Sequence, residues 1–379
     1  MAGHVAESAS LRGCVSGGGS DPPPIKIDLL CQVIDNFGDA GICWRLARQL
    51  DAEIGARVTL WIDQTEILRP WLHQAPAVRV VDSARLRDER PEGDLLIAAI
   101  GAELPPLLRR HVGEHRLPWI RYEYLTAEPW VDGCHALPSI KPTDGAIEWY
   151  FTPGFTPASG GLLRERDLFT RQAAFGARAA AQWRLQHGLQ GRPGSLRVCL
   201  FGYAGKPLAH LIEGFGRLAQ PVDVFIARSL HQALGSPAGQ DQMRVWPHDW
   251  LDQDDFDRLL WSSDVNLVRG EESWVRAQWA GHPMIWQPYQ QADDAHHVKL
   301  QAFLDRLLEN AAPDDADVVR RMMWSMSGRG DCAQILPSFV SRLPWLRPLY
   351  TRWRGHLAGQ TSLMNRLSAF MRDQLQFRV

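Results

Sequence analysis

One pattern recurs twice along this 379-residue chain: near-continuous apolar runs of strand length alternate with segments of helical period. Runs of that kind need cover on both faces, which calls for a parallel sheet between layers of helix. The first set comprises residues 27–34, 57–62, 78–81, 94–100 and 118–125. Behind its first run, Ile42, Leu46, Ala47 and Leu50 recur on one helical face, with Asp39 as the expected N-cap. Residues 126–165 break the rhythm with Pro, Gly and Trp and read mainly as loop, the aromatic stretch at Tyr150 and Phe151 extending the sheet. A helical stretch over 162–187 leads into HGLQGRPGS, the best linker in the chain. The pattern then restarts with strands at 196–203, 221–227, 243–246, 264–269 and 283–287.

These patterns predict a flexible leader over 1–24, one Rossmann-like domain over 25–188 and a second over 189–355. A C-terminal helix over 356–379 is expected to cross back to the first domain. The expected fold class is α/β, two Rossmann-like domains facing each other across a cleft, the GT-B type plan. Sugar-nucleotide transferases, some epimerases and periplasmic binding proteins share that plan, so it does not choose a function. The 45% hydrophobic content supplies two substantial cores. Lys and Arg total 41 against 43 Asp and Glu, which disfavours a protein that grips nucleic acid by its backbone. No apolar run reaches the length of a membrane span, and the leader lacks a signal peptide's apolar core. Six cysteines without a CxxC pair suggest buried free thiols in a reducing cytoplasm.

Chemistry concentrates at the turns that follow strands. In VIDNFGDAG (33–41), Asp35 and Asp39 flank the first βα turn, and Gly38 and Gly41 allow close approach. The plainer reading makes Asp35 an Asx-turn and Asp39 a cap. In LVRGEESWVRAQWAG (267–281) a strand gives way to a helix whose first N–H groups, the Ser273 hydroxyl and Arg269 form an anion site. Glu271 sits in that turn without a core role; the plainer reading is a capped helix with a surface ion pair. FGYAG (201–205) offers Phe201 and Tyr203 at the first turn of the second domain. Trp250 and Phe256 are candidate walls for a flat base, though each reads equally well as core packing. Asp252 and Asp254 have the Asp-x-Asp spacing of some metal-dependent transferases, but precede a helix that one of them would cap. QPYQQADDAHHVK (287–299) is dense in polar groups suited to a second phosphate or sugar contact. Its His296 and His297, adjacent on a helix, are expected to diverge, so no metal site is expected.

The run CQVIDNFGDAGICWRLARQL, the FGY turn and VRGEESWVRAQWAGHPMIWQPY together resemble the EarP family, the protein-arginine rhamnosyltransferases that mature bacterial elongation factor P. The resemblance covers the chain from about residue 26 onward. It implies a GT-B fold, dTDP-L-rhamnose as donor, dTDP as product and elongation factor P as protein acceptor, with no tightly bound cofactor and no metal. It places the family's paired aspartates on Asp35 and Asp39 and its motif glutamate on Glu271. The nucleotide-side positions fall on Phe201, Tyr203, Trp250, Phe256, Arg269, Ser273 and Tyr289. Asp39 is assigned as base and Asp35 as the orienting group, a choice the sequence leaves open. The alternatives are a sugar-nucleotide epimerase of the same architecture and a non-catalytic partner-binding protein.

Overall fold

The structure, a computed structural model, describes residues 23–35, 37–141, 145–237, 242–291 and 293–376. All of the expected leader but its last two residues lies outside them. Seven strands form the first sheet: β1 (Lys26–Cys31), β2 (Arg57–Ile62), β3 (Arg79–Asp82), β4 (Leu95–Ala99), β5 (Trp119–Tyr122), β6 (Pro138–Ile140) and β7 (Ile147–Phe151). Their order is β3-β2-β1-β4-β5-β7-β6, parallel except for the β6–β7 pair. Five parallel strands form the second: β8 (Leu196–Leu200), β9 (Val222–Ala227), β10 (Met243–His248), β11 (Val265–Arg269) and β12 (Met284–Gln287). Their order, β10-β9-β8-β11-β12, repeats the first five positions of the first sheet.

Several boundaries differ from expectation for local reasons. β1 stops at Cys31 rather than at residue 34, because the next N–H groups leave the ladder for side chains: Val33 donates to Asp63 Oδ1 at 3.0 Å, and Ile34 to Asp39 Oδ2 at 2.8 Å. Asp39 is the third residue of the helix Phe37–Ile54, not its N-cap. Residues 126–165 hold a hairpin, β6 and β7, where mainly loop was expected. The helical stretch 162–187 is two helices, Leu168–Ala174 and Ala177–Gln186, interrupted at Gly176.

The two cores exchange chain. Leu125, Phe155, Leu162 and Leu168 pack into the apolar core of the second sheet. Leu363, Met364, Leu367 and Met371 of the C-terminal helix Leu363–Gln376 pack into that of the first. Between the cores lies a buried charge cluster. Arg45 donates to Glu272 at 2.8 Å and to Glu165 at 2.6 Å, and sits 3.4 Å from Asp257. Arg276 pairs with Asp257 at 2.5 Å and with Glu165 at 2.9 Å. The side chains of Arg45, Arg276 and Asp257 are each 1% exposed. Burial alone would push the Glu165 carboxyl up, but Arg276 and Arg45 outweigh it and hold it well below the usual carboxylate range.

Removing Arg45 leaves Glu272 without its partner and Arg276 alone against Asp257 and Glu165, and breaking a buried pair in this way costs about 3–5 kcal/mol. Arg45→Ala should therefore lower unfolding stability by about that amount in urea titrations. Because folding depresses the Glu165 pKa, its stabilising contribution is complete above the unfolded value of 4.5 and is lost as pH falls below it. The wild-type protein should lose stability in acid more steeply than Arg45→Ala.

Candidate active site

Ligands of open α/β sheets bind beyond the carboxyl ends of strands, where the strand order reverses. Here those points fall between β1 and β4 and between β8 and β11, and the loops leaving them face one another. Two cavities open between those loops. The larger, about 710 Å³, is lined by Phe201, Trp250, Phe256, Arg269 and Ser273 among others. The smaller, about 240 Å³, is lined by Asp39, Tyr124, Glu271, Tyr289 and Lys299 among others. Asp35, Gly38 and Gly270 line both, so these three form the partition.

Asp39 is 4% exposed and spends Oδ2 on two loop amides, accepting from Ile34 N–H at 2.8 Å and from Asp35 N–H at 2.7 Å. This is the reach-back of a capping box, in which a third helical residue satisfies amides ahead of the helix. Burial pushes its carboxyl above the usual range despite both bonds. Asp35 accepts from the Tyr203 hydroxyl at 2.6 Å, a bond that bridges the two domains. The partition has room for that carboxylate because its other members lack side chains. A Cβ on Gly270 would lie 2.9 Å from Asp35 Oδ2, and its φ of +57° is itself a glycine conformation.

Arg269 stacks its guanidinium 4.5 Å from the Tyr203 ring and 4.9 Å from the Phe201 ring. No carboxylate among the described residues pairs with it, which leaves its forked donors for an anion. Phe256 meets Phe201 edge-on at 5.2 Å. Trp250 is 47% exposed and packs across the cleft on Phe37 and Trp71 of the first domain, at 4.5 and 5.4 Å. It therefore closes the larger cavity from a different side than Phe256.

Three expectations need correction. The Ser273 hydroxyl does not face the cavity as an anion donor: it donates to the Arg269 carbonyl and accepts from Arg269 N–H, because the first turn of the helix Glu272–Ala280 leaves that carbonyl within reach. Tyr289 lines the smaller cavity rather than the larger one, though its ring stands 5.7 Å from that of Tyr203. His296 and His297 do not diverge. Their rings stand 4.0 Å apart, and with Asp294 they form the one group of metal-ligand spacing among the described residues. His296 Nδ1 already accepts from Gln291 N–H at 3.2 Å. Asp252 caps the helix Gln253–Trp261 through Asp255 N–H at 2.7 Å, and Asp254 pairs with Arg48 at 3.3 Å.

Glu271 leaves the amides of its own helix uncapped and reaches into the first domain, accepting from Leu125 N–H at 2.9 Å. Burial pushes its carboxyl up to about 8, against the opposing pull of the Leu125 amide and Lys299. Sequence reasoning missed Tyr124, and flagged Gln287 only as the start of the polar segment 287–299. Tyr124 lies two residues beyond β5 and carries Lys299 Nζ 5.4 Å from its ring. Gln287 ends β12 and accepts from Tyr203 N–H at 2.8 Å.

Two Rossmann-like domains, with a nucleotide-sized cavity under a helix N-terminus and an acid-lined cavity beside it, define a nucleotide-sugar-dependent glycosyltransferase of the GT-B type. Residues 27–372 match the family described as elongation factor P rhamnosyltransferase EarP. The protein-arginine rhamnosyltransferase of Pseudomonas aeruginosa is 35% identical over 92% of this chain and 99% of its own. That of Pseudomonas putida is 36% identical over the same shares. A solved structure concerned with EarP-mediated arginine glycosylation of elongation factor EF-P is 27% identical, with a TM-score of 0.64, over 92% of this chain and 99% of that one. The chain belongs to the EarP family. No helix among the described residues is long and apolar enough to cross a membrane.

A carboxyl raised from 4.5 to about 8 favours the folded state most when protonated, so its contribution is complete below the lower value and declines as pH rises through the upper one. Thermal stability should therefore fall between about pH 4.5 and about pH 8, and Glu271→Gln should flatten that window. Infrared difference spectra of the ligand-free protein should show a protonated carboxyl band at pH 7 that Glu271→Gln removes.

Proposed function

We propose that this chain transfers L-rhamnose from dTDP-L-rhamnose to the guanidinium of one arginine of elongation factor P, with inversion at the anomeric carbon. The observation that carries the reading is the shared partition. One carboxylate, Asp35, borders both a cavity with an unpaired arginine at a helix N-terminus and a cavity lined by Asp39 and Glu271. The domain assignment follows, with the acceptor on the first Rossmann-like domain and the nucleotide sugar on the second. A nucleotide sugar and a translation factor as substrates put the reaction in the cytoplasm.

On the donor side, Arg269 and the first N–H groups of the helix Glu272–Ala280 take the diphosphate, and Phe201 and Phe256 flank the base. Tyr203 contributes its ring beneath Arg269. Trp250 closes the base end of the cavity, while Ser273 acts indirectly by fixing the Arg269 backbone. On the acceptor side, a guanidinium arrives protonated and is a poor nucleophile in that form. Asp35 and Asp39 align it and draw its charge toward them. Its nitrogen attacks the anomeric carbon as the bond to the diphosphate oxygen breaks and dTDP departs. The nitrogen's proton passes to Asp39 late, coupled to bond formation, because a carboxylate cannot deprotonate a free guanidinium beforehand. Tyr289 borders the acceptor as the sugar's outer wall, and Glu271 holds sugar hydroxyls or the acceptor.

Incubation of elongation factor P with donor and enzyme should raise the acceptor's mass by one deoxyhexose residue. An unchanged mass with donor consumed would point to an epimerase. Asp39→Asn keeps an oxygen for the loop amides and removes the charge. It should fold, bind dTDP and transfer about 10²–10⁴-fold more slowly. Asp35→Asn should impair transfer chiefly through acceptor binding; early melting of both variants would instead assign the pair to the loop alone. Arg269→Ala should weaken dTDP binding strongly in calorimetry. Turnover should persist in excess chelator, since Arg269 and the helix N-terminus supply the positive charge.

A further inference from the structure

A third cavity lies at the opposite end of the second sheet, at the amino ends of its strands. It measures about 690 Å³ and is lined by Arg184, Arg192, Arg197 and Arg347, with Asp264 as its one acidic member. The four arginines come from four separate places: the helix Ala177–Gln186, the linker before β8, β8 itself, and the helix Leu343–Ala358. Two carboxylates serve three of them. Asp264 is shared between Arg197 at 3.0 Å and Arg347 at 3.2 Å, and Asp223 pairs with Arg192 at 3.1 Å.

Arg184 is left over. It is only 7% exposed, and its Nε is buried without a hydrogen-bond partner. It forms no ion pair with any described residue. Burial and the neighbouring Arg197 oppose its charge and outweigh the favourable pull of Asp264. Asp264 is the one carboxylate that acts on it, already bonded to Arg197 and Arg347, so an anion in the cavity would meet a guanidinium whose Nε has no partner of its own.

We infer that this cavity is a binding site for a small phosphate-bearing anion, distinct from the donor cleft. The fork of a guanidinium matches phosphate oxygens in pairs, and the converging groups include more than one such fork. The occupant is small because the site is a recess rather than a stripe.

The probe is inorganic pyrophosphate, titrated calorimetrically into the full chain with dTDP saturating the cleft. One molecule should bind per chain. Arg184→Gln should weaken that binding at least ~10-fold, the loss expected for about one charge-assisted hydrogen bond. Its melting temperature should not fall below the parental one, because the variant removes a charge that burial and Arg197 disfavour. Arg347→Gln, at a half-exposed position, should weaken binding too. Pyrophosphate should raise the parental melting temperature and leave that of Arg184→Gln unmoved. Absence of binding under saturating dTDP, or binding that both variants leave intact, overturns the inference. So does a structured RNA that binds at this site where pyrophosphate does not.

Discussion

The arrangement of the cleft depends on the buried pairing of Arg45 and Arg276 with Glu165, Asp257 and Glu272. Arg45 belongs to the helix that follows Asp35, and Glu272 begins the helix that follows Arg269. Their 2.8 Å bond thus ties the first βα turn of one domain to the anion-binding turn of the other. Ion pairs of this kind add little net stability over a well-packed apolar contact, since desolvation offsets most of the attraction. They do impose direction: five charged groups from separate segments satisfy one another in few arrangements. Two domains that share only an apolar seam could slide, and the partition between the cavities would then lose its register.

That register matters because the partition is thin. Asp35 is held from below by its own backbone amide, bonded to Asp39, and from across the cleft by the Tyr203 hydroxyl. Burial and the neighbouring Asp35 keep the Tyr203 phenol protonated well beyond the physiological range, so it stays a donor. Its ring at the same time supports Arg269. One side chain therefore touches the group proposed to hold the leaving diphosphate and the group proposed to align the acceptor. In the proposed reaction, binding on either side biases the geometry of the other through this tyrosine.

Much of this was legible in the sequence, and the reasons differ by level. Two parallel sheets followed from apolar runs without alternation, and sites beyond strand ends followed from α/β topology. Asp35, Arg269 and Glu271 stand in such turns, so their convergence was foreseeable. The role of Asp39 in the loop was not, because a cap and a reach-back from the third helical position share the same residue types at nearly the same spacing. Ser273 misled for a related reason: a hydroxyl at a helix start can serve a ligand or its own backbone, and only coordinates show which carbonyl lies nearby. The aromatic stretch at Tyr150 and Phe151 announced the end of β7, but β6, three residues long, hid in a Pro- and Gly-rich segment. The charge cluster left no pattern at all, since its members are up to 231 positions apart between Arg45 and Arg276 and read locally as ordinary helix surface.

The charge balance of the smaller cavity links its structure to the proposed acceptor. Asp35 and Asp39 bring two carboxylates, Lys299 one ammonium, and Glu271 a carboxyl whose pKa near 8 leaves it mostly neutral at pH 7. Two aspartates against one lysine give the cavity an acidic excess suited to one guanidinium. The same guanidinium also changes Glu271. A cation within a few ångströms favours the ionised carboxyl and draws its pKa down. Acceptor binding would then release a proton from Glu271 before transfer, and the cavity would hold three carboxylates only while a guanidinium is present to share them. Such a site avoids stacking three unpaired negative charges when empty, yet offers its strongest field when the nitrogen must give up charge to the forming bond.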